Sequence, residues 1–267
     1  MENRLLLNII EDRYRKFQKD YSIVTTDFFD LAQQSAAAGF VRSHAGEGVF
    51  FYGGYKGAER RKLVFVPDYI DVKDEEALCA YFAENPELCP LAVLSVKIRA
   101  AGKSAGEGKP LRHSDYLGSL LSLGIKREKT GDILVFEDGA QIIVSEEIAA
   151  YLAENYTSAG RTPLAVTVES IDKLKLAQIK IERLRLPLSS LRLDNAVAAV
   201  FGVSRRNAAE AIGSGLVFVN SVENKKPDFQ LKGGEKLVLR GRGKAIFVGA
   251  GGTSRKGKIY AEFDRYL

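Results

Sequence analysis

Residues 191–244 read LRLDNAVAAVFGVSRRNAAEAIGSGLVFVNSVENKKPDFQLKGGEKLVLRGRGK, and their spacing decides the fold of the C-terminal third. Leu193, Val197, Val200 and Phe201 recur at i, i+4, i+7 and i+8, which is one face of a helix. Gly202 follows where a left-handed C-terminal position is expected. Ser204 then opens a second helix as its N-cap, with Ala208, Ala209 and Ile212 on the buried face and Gly213 and Gly215 closing it. Leu216 to Val219 suits a short buried strand, Asn220-Ser221 a turn, Gly233-Gly234 another, and Lys236 to Leu239 a further strand.

Charge is placed on this frame where folding alone would not put it. Arg205 and Arg206 fall in the first turn of the second helix, whose N–H groups already carry positive partial charge. Exposed cations there cost about 0.3–1 kcal/mol each. The same N–H groups and two guanidinium forks make a phosphate site, with Ser204 and Asn207 beside them. Arg192 joins this central set. Lys225 and Lys226 are expected at its flank, and Arg240, Arg242 and Lys244 extend the basic track. From residue 183 onward the chain has 16 Lys and Arg against 7 Asp and Glu, whereas the first 182 residues have 23 against 27. A basic module on a mildly acidic body points to a polyanionic partner.

The order of these elements resembles the S-four-type RNA-binding domain, the αL motif. The matching residues are Arg192-Leu193-Asp194, Ser204-Arg205, Ile212, Gly215, Val217, Val219-Asn220 and Gly234-Glu235. Ser221 stands where that family usually has Gly, and Glu235 where it usually has Asp. Asp194 reads as a partner for an arginine or a backbone N–H group rather than as a catalyst.

The first 180 residues divide in two on pattern. Residues 1–85 read as an α+β domain: an amphipathic helix through Leu5, Leu6, Ile9, Ile10 and Phe17, then a helix capped by Thr26 that ends at Gly39. Strands follow at Val49 to Tyr52 and Leu63 to Val66, then a helix from Asp74 to Asn85. Residues 86–180 read β-α-β-β-α-β, the ferredoxin-like arrangement. Its strands are Leu91 to Ile98, Ile133 to Phe136, Gln141 to Val144 and Leu164 to Val168. Ser114 caps the first helix, which ends at Gly124, and Glu146 to Tyr156 is the second; Asp138-Gly139 marks the hairpin. RNA-recognition modules share this topology, but the third strand lacks the aromatics that stack bases in them. The expected architecture is therefore α+β in three small domains, the third spanning 181–267 with a flexible basic tail.

The segment His113-Ser114-Asp115-Tyr116-Leu117-Gly118-Ser119-Leu120, followed by Leu123-Gly124-Ile125-Lys126-Arg127-Glu128-Lys129-Thr130-Gly131-Asp132-Ile133, resembles the signature of the YlmH family of bacterial RNA-binding proteins. The resemblance extends to the closing Ser254-Arg255-Lys256-Gly257-Lys258-Ile259. It implies structured RNA (rRNA or tRNA) and the large ribosomal subunit as partners, rescue of stalled nascent chains, and an association with cell-division gene clusters. A second RNA contact is expected at Lys126, Arg127, Lys129, Arg255, Lys256 and Lys258.

Other functions fare poorly. No apolar run approaches the ~18 residues of a membrane span. The start, MENRLLLNIIEDRYRKF, lacks the apolar core of a signal peptide. Cys79 and Cys89 fit no paired motif and read as reduced thiols of a cytoplasmic protein. His113, Ser114 and Asp115 are sequence neighbours, which seldom meet side chain to side chain as a triad must. No His/Cys/carboxylate set has metal-ligand spacing, and no cofactor is expected. Gly252 to Lys258 fits G-x-x-x-x-G-K, but Ile259 replaces the hydroxyl residue and only eight residues follow. Gly46-Glu47-Gly48 and Gly106-Glu107-Gly108 complete no dinucleotide fingerprint. Two alternatives stay open: an RNA-modifying enzyme related to pseudouridine synthases, whose Arg-Leu-Asp would have to be 192–194, and a protein-interaction scaffold for division factors.

Overall fold

The computed structural model describes residues 2–44, 46–99, 111–176, 181–220, 222–254 and 257–266, the side chains of residues 2 and 3 excepted. Ser221, Arg255, Lys256 and Gly106 to Gly108 lie outside the described residues. The chain forms two compact units, residues 1–177 and 178–267.

The first unit runs α1 (Glu2–Asp20), β1 (Val24–Thr25), α2 (Leu31–Ser43), β2 (Val49–Tyr52), β3 (Lys62–Phe65) and α3 (Glu75–Glu84). It continues through β4 (Leu91–Ile98), α4 (His113–Ser122), β5 (Thr130–Val135), β6 (Gly139–Ser145), α5 (Ala149–Asn155), β7 (Ser158–Ala159) and β8 (Thr162–Glu169). Two caps differ from expectation. Asp30, not Thr26, caps α2, its side chain accepting from the Gln33 N–H while Gln33 returns a bond to the Asp30 N–H. Such a reciprocal pair satisfies two orphan donors at once. Thr26 is instead a buried bridge: its hydroxyl donates to the Asp27 carbonyl and accepts from the Leu63 N–H. Gly39 lies inside α2, which runs on to Ser43. In α4 the cap position is Arg112, and the Asp115 carboxylate accepts from its N–H at 2.8 Å. Ser114 sits within the first turn.

The small sheet has the order β1-β3-β2 and the large one β5-β6-β4-β8-β7, antiparallel throughout. Leaving aside the added edge strand β7, the large sheet places its first strand between its third and its fourth, as the split βαβ arrangement requires. One face, through Ala92, Leu94, Val96, Ile142 and Val144, packs under α4 and α5 with Tyr116, Leu120 and Leu152.

The second face is buried too. Leu91, Val93, Ile143 and Ile171 join Phe28, Tyr52, Val64, Val66, Leu78 and Phe82 in one apolar cluster. Residues on both sides of position 85 thus share a core, and no division between compact units falls there. Burial on both faces also explains why Ile142-Ile143-Val144 of β6 run without polar alternation. The contact is close: a Cβ at Gly131 would lie 2.8 Å from the Phe28 ring.

Lys62 belongs to this packing. It is 4% exposed, and its ammonium lies 5.3 Å from the centre of the Phe28 ring. Burial pushes its pKa down to about 8, against an upward pull from Asp27 and Glu147. An unfolded lysine titrates near ~10.4. Between those values the unfolded chain binds more protons, so this residue's contribution to stability rises with pH across that window. Denaturant midpoints measured from about pH 7 to 10 should show the wild type gaining on Lys62→Met, by an amount of order 2–3 kcal/mol.

The second unit runs β9 (Ile181–Leu188), α6 (Leu193–Phe201), α7 (Arg205–Gly213), β10 (Val217–Val219), β11 (Val222–Glu223), β12 (Lys236–Leu239), β13 (Gly243–Thr253) and β14 (Ile259–Tyr266). Its sheet has the order β11-β10-β12-β13-β14-β9. Leu193, Val197, Val200, Ala208 and Ile212 pack on Val217, Leu237, Ala245, Phe247 and Phe263. Gly202 adopts φ +64 at the end of α6, as its position predicts. The expected basic tail falls on Gly252 to Lys258, of which Arg255 and Lys256 lie outside the described residues; the described residues on either side of it belong to strands. β14 pairs along its whole length with β9, from Ile259↔Leu188 to Tyr266↔Ile181. Alternating apolar residues (Ala261, Phe263) close the core from this side.

Candidate nucleic-acid interface

Asp194 is the hub of the basic surface. It is 6% exposed, at the start of α6. Arg192 grips it with two bonds, Nε to Oδ1 and Nη2 to Oδ2, each 3.1 Å. Arg205, from the first turn of α7, reaches Oδ2 at 3.4 Å. The Asn195 N–H donates to Oδ1 at 2.8 Å. Burial opposes the charge on Asp194, but the bonds from Arg192, Asn195 and Arg205 prevail and hold its carboxyl below the ordinary carboxylate range. The same pairing holds the Arg192 guanidinium above its ordinary value. One buried carboxylate therefore orients two exposed-edge arginines, so their forks are set before any ligand arrives.

Around the hub, Ser204 caps α7 by accepting from the Asn207 N–H at 3.1 Å. Arg205, Arg206 and Asn207 are exposed, and the first turn of α7 carries no acidic residue. Arg206 pairs with Glu210 one turn on, at 3.1 Å. Segment 224–231 lies against the start of α6, the Pro227 carbonyl accepting from the Asp194 N–H and the Phe229 carbonyl from the Leu193 N–H. This brings the exposed Lys225 and Lys226 to the hub's border; Lys225 is paired with Glu223 at 2.9 Å. Asn220 takes φ +51 in the β10–β11 turn, and its side chain accepts from the Lys236 N–H. Asparagine tolerates that left-handed backbone. Glu235 accepts from the Lys232 N–H at 2.8 Å and closes its own turn.

Arg240 and Arg242 sit in the β12–β13 turn, beside Leu216 at the far end of α7. A nine-residue helix separates them from Arg205 by about 13 Å. Lys244 is partly buried with its ammonium 5.2 Å from the centre of the Tyr266 ring. Lys258 is exposed in the β13–β14 turn, where Ser254 accepts from its N–H. Ile259 opposes Leu188, four residues before Arg192, so this turn belongs to the hub's end of the sheet. The G-x-x-x-x-G-K match thus spans a β-hairpin, not a strand–loop–helix.

The 126–129 stretch behaves differently. Lys126 is exposed. Lys129 lies between Asp27 at 2.6 Å and Glu147 at 2.5 Å. Burial works against its charge, but these two bonds outweigh it and raise its pKa. Arg127 donates to the Thr130 and Gly131 carbonyls, and burial, with Arg60 nearby, pushes it down to about 10. Arg60 in turn donates to the Phe28, Arg127 and Thr130 carbonyls. Asp132 accepts from the Tyr55 hydroxyl and from the Glu59 and Arg60 N–H groups. The end of the segment that reads as a signature, residues 127–132, is the joint between residues 1–85 and the large sheet. Arg127 and Lys129 serve that joint, a role that spacing along the chain does not reveal. Sequence reading also missed Asn195, whose buried amide donates to Ser189 and Ser190 and fixes the entry to α6.

Two helices closed by a left-handed glycine, a tight hairpin and a clamped arginine pair define an RNA-binding domain of the S4 type. A family model for the "S4 domain" matches residues 191–237, and one described as "Putative RNA-binding domain in YlmH" matches residues 106–175. The chain is 31% identical over 253 residues to "Ribosome-associated protein quality control protein P2" of Bacillus subtilis (strain 168), covering 94% of this chain and 90% of that one. The chain belongs to the YlmH family. A solved structure, "Cell division protein ylmH from Streptococcus pneumoniae", is similar at a TM-score of 0.47 and 20% identity over 66% of this chain and 96% of that one. Among the described residues, no helix is long and apolar enough to cross a membrane, and no group of His, Cys, Asp and Glu could hold a metal ion.

Proposed function

We propose that this protein is a non-enzymatic RNA-binding factor of the cytoplasm that works on the large ribosomal subunit. Its S4 domain grips folded rRNA or tRNA during the rescue of stalled nascent chains. The observation that carries this reading is the buried Asp194 holding Arg192 and Arg205 beside the unshielded start of α7. Such a site suits phosphate oxygens and has no need of a reacting atom. The name of the Bacillus relative supports the ribosomal setting. The large sheet contributes through its edges and helices, since both of its faces are covered.

The enzyme alternative would need Asp194 as its nucleophile. That carboxylate is buried and already accepts four hydrogen bonds, two from Arg192 and one each from Arg205 and Asn195. Mass spectrometry of RNA incubated with the protein should therefore show no new modified base. A scaffold for division factors would show as capture of a single protein partner in the absence of RNA.

If about six cations meet phosphates, affinity falls with salt at a log–log slope of roughly −4 to −5. Residues 178–267 alone should keep most of that slope. Binding insensitive to salt, or unchanged by deletion of that unit, would refute the assignment.

A further inference from the structure

A cleft of about 340 Å³ opens between α1, the small sheet and the end of β6 in the first unit. Lys62 and Ser145 line it. Both are more than nine-tenths buried. The Ser145 hydroxyl has no hydrogen-bond partner. The Lys62 ammonium has an aromatic face beside it, from Phe28, and no ion pair among the described residues. A ring face attracts a cation but accepts none of its three N–H bonds in the manner of an oxygen. The neighbouring Lys129 is already held by Asp27 and Glu147, so those carboxylates are engaged elsewhere. Arg13 and Lys16 stand exposed on the same cleft.

A buried cation with no ion pair among the described residues and a buried hydroxyl with no hydrogen-bond partner, both lining one cleft, are the two halves of an anion site. We propose that this cleft binds a small molecule through one compact anionic group, carboxylate or phosphate, held by Lys62 and Ser145. Asp20, Asp27, Glu146 and Glu147 also border the cleft, which selects against large polyanions such as RNA. The site is independent of the S4 surface and does not rest on the reading of that surface.

The test uses the full chain near pH 7, with sodium acetate and inorganic phosphate as probes against sodium chloride at equal ionic strength. At about 50 mM, one of the two anions should raise the melting temperature of wild type by about 2–4 °C beyond chloride. The increment should vanish in Lys62→Met and shrink in Ser145→Ala. Phosphate also reaches the S4 surface, so the quantity read is the difference between wild type and Lys62→Met, which keep that surface in common. The Lys62 side-chain resonance should shift with the same titration. A larger effect of acetate identifies a carboxylate ligand, and a larger effect of phosphate a phosphorylated one. Equal increments in wild type and Lys62→Met, or no shift of the Lys62 signal with either anion, would overturn the proposal and leave the cleft to water.

Discussion

Replacing Arg205 and Arg206 together by alanine will lower affinity for structured RNA by about ten- to hundredfold and reduce the salt slope by about 1.5–2. The melting temperature of the C-terminal unit should stay within about 3 °C of wild type. Two structural facts separate these effects. Both side chains are largely exposed, at 63% and 87%, so the fold loses little packing with them. Asp194 also retains both Arg192 bonds and the Asn195 N–H after Arg205 is gone. The loss falls on binding because two guanidinium forks beside the N–H groups of α7 leave together. Titrations and melts on the same variant distinguish the outcomes. A marked drop in melting temperature would make the arginines structural. Normal melting with wild-type affinity would move the phosphate site elsewhere on the basic module. Arg205 is not an idle cation in the free protein, so removal should not stabilise the fold in the way an unpaired charge at a helix start would.

Phe28→Ala is expected to destabilise the whole first unit by about 3–5 kcal/mol. Phe28 is 1% exposed, and its ring lies against Gly131 of β5 in the large sheet. Truncation would open a cavity in the cluster that contains Ile143 and Val93, and would strip the aromatic face from buried Lys62. The Phe28 N–H is also bonded to the Glu128 carbonyl, so the backbone there is tied and cannot readily collapse into the space. Hydrogen exchange should then accelerate together in β3, β4 and β6. If residues 1–85 loosened alone and β4 and β6 kept full protection, the two regions would be separate folding units after all. RNA binding by residues 178–267 should be untouched by this change.

Local features of the second unit were legible in the chain because local rules govern them. Periodicity marks α6 and α7, glycine ends α6 in a left-handed turn, serine caps α7, and asparagine turns the β10–β11 hairpin. The arginines at the wrong end of α7 were legible as a candidate phosphate site through electrostatics that operate over one helical turn. The order of strands and helices in 86–180 was legible for the same reason, and the sheet order follows from it.

Tertiary structure alone decided the rest. Periodicity tells that a strand is buried but not what covers it, so the sequence did not show that residues 1–85 close the second face of the large sheet. Cation spacing likewise cannot tell a solvated lysine from one bridged by Asp27 and Glu147, residues 102 and 18 positions away. The final strands escaped because glycines interrupt β13, and its pairing partner β14 is flanked on its other side by β9, some 80 residues earlier in the chain. Asp194 shows the division within one side chain. Its place after Arg192-Leu193 marks the motif, but only folding brings Arg205 to it and turns a carboxylate into the support that aims two arginines outward.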